Sequence, residues 1–103
     1  MRRRGKVDNN QSAIVECFRS LGCGVLILSN VGNGCPDIAV GCNGLTCLVE
    51  IKNGTNGKLT SEQVVFFSNW DGMATVVRNI DDAIQLVDFM RRCDIGVIQN
   101  NDI

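Results

Sequence analysis

Histidine is missing from the chain, and its six cysteines (Cys17, Cys23, Cys35, Cys42, Cys47 and Cys93) include no Cys-x-x-Cys pair. Structural zinc needs clustered Cys and His ligands at short spacings, so both absences argue against a zinc module. The thiols are instead expected to be reduced and mostly buried, acting as small hydrophobes. No apolar run approaches the ~18 residues that a membrane helix needs. The basic N-terminus is followed by no apolar stretch of the kind a secretory signal carries. An intracellular, cytoplasmic protein without a membrane partner is the expectation. Internal repeats, a second domain and any recognition helix for reading bases are also missing, which leaves shape and backbone contacts as the means of binding nucleic acid.

What is present fits one domain. A chain of 103 residues with 45% hydrophobic and 20% charged content is that of an ordinary globular protein with a single core. Its net charge of −1 is unevenly spread. Arg2, Arg3, Arg4 and Lys6 put four positive charges in the first six residues, and the remainder carries six basic against eleven acidic side chains. A basic arm (residues 1–7) on an acidic body suits a phosphate contact, and it also suits a solubilising tail.

Hydrophobic spacing orders the rest. Asp8 or Asn9 caps a helix to about Leu21, with Ile14, Phe18 and Leu21 on its buried face. Gln11 shares that face, Glu16 points elsewhere, and Gly22 ends the helix. Gly24 to Leu28 reads as a buried strand. A turn-rich loop leads to Pro36-Asp37, and two apolar strands follow (Ile38 to Val40, Leu45 to Val49 and Ile51), joined by a hairpin through Gly41-Cys42-Asn43-Gly44. Asn53 to Lys58 is a polar, flexible loop. Thr60-Ser61-Glu62-Gln63 matches a capping box, opening a helix that runs through Trp70 and stops at Asp71-Gly72. Met73 to Val77 is a fourth strand, and Asn79 caps a last helix through Met90. The tail from Cys93 reads either as irregular chain or as an edge strand through Ile95, Val97 and Ile98. The order is αβββαβα.

The chemistry concentrates at two strand ends. Asp37 opens one strand, and Glu50-Ile51-Lys52 closes the next, where a core strand would carry Val or Leu. Side chains alternate along a strand, so Glu50 and Lys52 share a face, and the hairpin brings Asp37 opposite them. Two close acids repel unless a cation lies between them, and paired carboxylate oxygens suit Mg²⁺ or Mn²⁺. Metal-assisted cleavage of a phosphate ester is the chemistry indicated. The plainer readings are a salt bridge for Lys52 and helix capping alone for Gln63.

Gly34-x-Pro36-Asp37, Glu50-x-Lys52, Leu59-Thr60-x-x-Gln63 and Trp70-x-Gly72 together resemble the PD-(D/E)xK nuclease superfamily, and within it the short stand-alone VRR-NUC type found in phages. The resemblance spans roughly residues 8 to 90 and implies an α/β (α+β), restriction-endonuclease-like αβββαβ core with a central mixed sheet flanked by helices. It implies Asp37, Glu50 and the Ile51 carbonyl as metal ligands, Lys52 as the catalytic lysine and Gln63 as the helix residue completing the pocket. Gln11 stands where family members commonly carry an acid; it could ligate through its amide oxygen or hold a metal-bound water, but it brings no negative charge, so a tightly held second metal is in doubt.

The function implied is that of an Mg²⁺- or Mn²⁺-dependent endonuclease cutting branched or duplex DNA, Holliday junction resolvase-like and homodimeric, with no organic cofactor. Arg2, Arg3, Arg4, Lys6 and Lys58 are the expected DNA contacts. The helix from Thr60 to Trp70 and the strand Met73 to Val77 are the expected dimer surface. The alternatives are a nickase or repair nuclease within a phage replication complex, and a non-catalytic DNA-binding module that keeps the fold.

Overall fold

The computed structural model describes residues 9–93. The chain runs α1 (Asn9–Ser20), β1 (Gly24–Ile27), β2 (Ile38–Cys42), β3 (Leu45–Ile51), α2 (Ser61–Asn69), β4 (Met73–Val77) and α3 (Ile80–Arg92), the expected αβββαβα order. The expected cap Asp8, the arm residues Arg2, Arg3, Arg4 and Lys6, and the proposed edge strand through Ile95, Val97 and Ile98 lie outside the described residues. None of the described helices is long and apolar enough to cross a membrane.

Helix α1 buries Ile14 and Phe18 completely, as its spacing predicts. It closes when Gly22, at φ 90, turns back so that Cys23 N–H reaches the Phe18 carbonyl and Gly22 N–H reaches the Arg19 carbonyl. The sheet order is β1-β2-β3-β4, with the first two pairings antiparallel and β3–β4 parallel. A parallel neighbour requires a crossover, and α2 supplies it. The β2–β3 hairpin turns tightly at Asn43 (φ 56) and Gly44 (φ 81), the left-handed pair that matches strand twist. The Asn43 side-chain amide also donates to the Met90 and Cys93 carbonyls, tying the hairpin tip to the end of α3.

Alternation along the strands divides the sheet into two unequal faces. Ile38, Val40, Cys42, Cys47, Val49, Ile51 and Val77 form the core with α1 and α3, whose Ala83, Val87 and Met90 close it. Ala39, Leu48, Glu50, Ala74 and Val76 fall at the alternate positions. No residue of α2 is fully buried.

Two expectations need correction. The stretch Gly24 to Leu28 forms a strand over Gly24–Ile27, but not a buried one: it lies at the sheet edge with Leu26 62% and Ile27 48% exposed. Its continuous apolar run imitates a strand covered on both faces, although it has a strand neighbour on one side only. Of the six thiols, all free, Cys23, Cys42 and Cys47 are buried, while Cys17, Cys35 and Cys93 are only partly so.

Candidate active site

The hairpin register decides which polar groups meet. Ile38 pairs with Val49, so the next step outward sets Asp37 across from Glu50. Asp37 Oδ2 accepts the Ile51 backbone N–H at 2.8 Å. Glu50 is 3% exposed. Its Oε2 accepts from Gln63 Nε2 at 2.9 Å and lies 3.4 Å from Lys52 Nζ. Its Oε1 is buried with no hydrogen-bond partner among the described residues. Burial, and then the Asp37 charge, push the Glu50 carboxyl from 4.5 up to about 7, with Lys52 and Gln63 pulling the other way. The Cys35 thiol is raised too, by burial first and then by the charges of Glu50 and Asp37.

Helix α2 enters this site through its first turn. Thr60 Oγ1 accepts from Gln63 N–H, and Gln63 Oε1 accepts from Thr60 N–H at 2.9 Å, the reciprocal capping box expected from the sequence. With its oxygen committed to the cap, the Gln63 amide has only its nitrogen to offer Glu50. Capping and site contact, alternatives at the level of sequence, are therefore both made by one side chain. Gly34 explains how the helix comes so close. At φ 81 it passes beneath α2, and a β-carbon there would lie 2.4 Å from the Glu62 carbonyl oxygen. Pro36 follows, fully buried, and delivers Asp37.

Two further residues support the lysine, and sequence reasoning missed both. Asn10 Nδ2 donates to the Lys52 carbonyl at 3.0 Å and to the Arg78 carbonyl at 3.4 Å, holding the ends of β3 and β4 together. Arg78 Nη1 donates to the Gly54 and Gly57 carbonyls at 2.8 and 2.6 Å, so the loop after Lys52 is anchored. The signal for Arg78 was its place immediately after a strand that lies beside Glu50-x-Lys52. Nothing local marks Asn10, whose acceptors are 42 and 68 residues away.

Gln11 is half-buried beside a groove of about 220 Å³ shared with Ser12, Val15, Glu16, Arg19 and Ile27. Glu16, which the helical wheel turns away from Ile14, borders this same groove. Lys58 is exposed on the anchored loop. A larger groove, about 330 Å³, runs between β4 and α3 past Thr75, Val76, Val77, Asp82, Gln85 and Leu86, and contains neither Asp37 nor Glu50.

Among the described residues no three His, Cys, Asp or Glu side chains converge as a metal cluster. A divalent ion here would rest on two carboxylates, backbone oxygen and water, the donor set with which Mg²⁺ is commonly held. The bare, buried Glu50 Oε1 beside a second acid fits that use. No family model, curated protein or solved structure matches the chain.

Proposed function

We propose that the chain is a metal-dependent endonuclease hydrolysing DNA phosphodiester bonds, of the PD-(D/E)xK kind its motifs resemble, with Asp37, Glu50, Lys52 and Gln63 as its working residues. One observation carries this reading: Glu50 keeps a buried oxygen without a hydrogen-bond partner among the described residues, next to a second carboxylate. An unsatisfied buried acceptor costs about 1–3 kcal/mol. The cost has a physical reason where a cation is to be bound.

Asp37 and Glu50, with the Ile51 carbonyl, would hold Mg²⁺ or Mn²⁺, and Gln11 is an additional candidate through its amide oxygen. When bound, such an ion polarises a phosphoryl oxygen and lowers the pKa of its water. The side chains supply the rest. Gln63 fixes the rotamer of Glu50 through Oε2, leaving Oε1 to the ion. Lys52, paired to Glu50, orients the attacking water or offsets charge developing on the phosphate. Branched DNA cut by a homodimer is the finer form of the proposal, because symmetric resolution of a junction needs two sites and each chain offers one.

The test is cleavage of matched four-way, flap, duplex and single-stranded DNA with Mg²⁺ or Mn²⁺, comparing wild type with Asp37→Asn. Cutting by wild type alone is the expected result, and equal cutting by both overturns the site. Gln11 in place of an acid favours the non-catalytic DNA-binding module, for which binding without cleavage of any of the four substrates would decide.

A further inference from the structure

The loop between Lys52 and α2 is built around a cation. Arg78 takes two carbonyls of the same loop on one nitrogen, Gly54 at 2.8 Å and Gly57 at 2.6 Å. A trans peptide is planar, with its C=O and the following N–H pointing in opposite directions. Turning the Gly54 and Gly57 carbonyls inward onto Arg78 therefore turns the N–H groups of Thr55 and Lys58 outward. Both of these residues are exposed. Gly54 has φ 56, and a β-carbon on Gly57 would sit 3.1 Å from Lys52 Cβ, so the loop also folds back against the lysine stem. Outward amides, a guanidinium behind them and the exposed Lys58 in the same loop combine the donors and positive charge that a phosphate oxygen needs. This segment starts two residues after Lys52.

We propose that residues 54–58, folded over Arg78, form a binding site for a backbone phosphate flanking the one cleaved. The Thr55 and Lys58 N–H groups and Lys58 Nζ serve as donors, and Arg78 is the positioning residue. The proposal rests on the nuclease reading, since it supplies the register that sets a phosphodiester at Asp37 and Glu50. Arg78 itself touches no DNA. Its two carbonyl bonds keep the amides facing outward, and they tie that surface to the strand carrying Val77, the neighbour of Ile51 in the parallel ladder.

The test uses the full chain carrying Asp37→Asn, without metal, and a short mixed-sequence DNA duplex titrated at several salt concentrations. Lys58→Ala should flatten the dependence of log affinity on log salt by about 0.9, one phosphate contact. Thr55→Pro, which removes an uncharged donor, should weaken binding about fivefold, the worth of one hydrogen bond, and leave the salt slope alone. Arg78→Gln should produce both effects, and Arg78→Lys should recover part of the loss by donating to one carbonyl. Lys58 and Thr55 are exposed, so their variants report on binding even where Arg78→Gln unfolds. Duplex binding by Asp37→Asn that Lys58→Ala and Thr55→Pro leave unchanged overturns the loop site while the nuclease reading stands. Failure of Asp37→Asn to bind DNA at all overturns the loop site, while cleavage by the wild type decides the nuclease reading separately.

Discussion

Glu50 links the site to solution conditions through a single proton. In the folded chain its carboxyl is pushed up to about 7 from 4.5, so the fold holds a proton that the unfolded chain has already released. Stability is then full below pH 4.5 and is lost as pH rises through about 7. The difference amounts to roughly 3 kcal/mol. In EDTA, denaturant titrations of the wild type should show a lower unfolding free energy at pH 8 than at pH 5. Glu50→Gln should remove most of that difference and be the more stable protein at pH 8. An identical pH dependence in the two proteins would mean that Glu50 is not the group responsible. Gln11 offers a second test. If it faces the bound ion, Gln11→Glu adds an anionic oxygen and tightens Mn²⁺ binding measured by calorimetry. Unchanged or weaker binding removes Gln11 from the ligand set.

Helix α2 behaves as a lever between the loop before Asp37 and the acid it must meet. Gly34 lies under the helix's first turn, and Gly32, with nearly the same backbone (φ 82 against 81), has nothing within 4 Å of where a β-carbon would stand. The two positions therefore separate strain from contact. Gly32→Ala should cost about 1 kcal/mol for the left-handed backbone alone. Gly34→Ala should cost about 2 kcal/mol more, because Glu62 must move, and cleavage should fall with it as Gln63 leaves Glu50. Equal loss of stability in the two variants would deny the close approach. These elements also mark what the sequence made legible. The hairpin, the capping box and the Asn79 cap, whose side chain accepts from Asp82 N–H, are local patterns, and local chemistry fixes them. The acids and Lys52 came together because strand alternation and a two-residue turn leave little freedom. The exposure of β1 and the Asn10 bridge were not legible, since both depend on which chain segments become neighbours in the fold.

At the scale of the whole molecule, the apolar surface is larger than one core absorbs. On α2, Val64 and Val65 are 49% and 57% exposed, and Trp70 just beyond it is 45% exposed while stacked on Phe66. Strand β4, close behind in sequence, is a sheet edge. Exposed apolar side chains and an open sheet edge are what an interface uses, and we propose that α2 and β4 join two copies of the chain. Light scattering at tens of micromolar protein should give the mass of a dimer, and a monomer at that concentration removes the claim. Removing residues 2–6 should leave that mass unchanged, because four cations without an apolar anchor do not suit such a surface. The same deletion should flatten the salt dependence of DNA binding by up to about four phosphate contacts.

Asn43 gives the molecule a chemical lifetime. Its amide is followed by Gly44, whose bare α-carbon leaves the next backbone nitrogen unshielded for cyclisation onto that amide, the first step of deamidation. The same amide nitrogen is the donor that holds the Met90 and Cys93 carbonyls. Hydrolysis would exchange a double donor for an anion facing two carbonyl oxygens at the negative end of α3, where charge and dipole repel. Stored protein should accumulate a more acidic species, separable by ion exchange, that melts below the fresh material. Asn43→Asp should also melt below wild type, while a variant as stable as wild type would show that the amide ties nothing together. Because the folded chain engages the amide, ageing should be faster in mild denaturant than in buffer, so each molecule's clock starts when it opens.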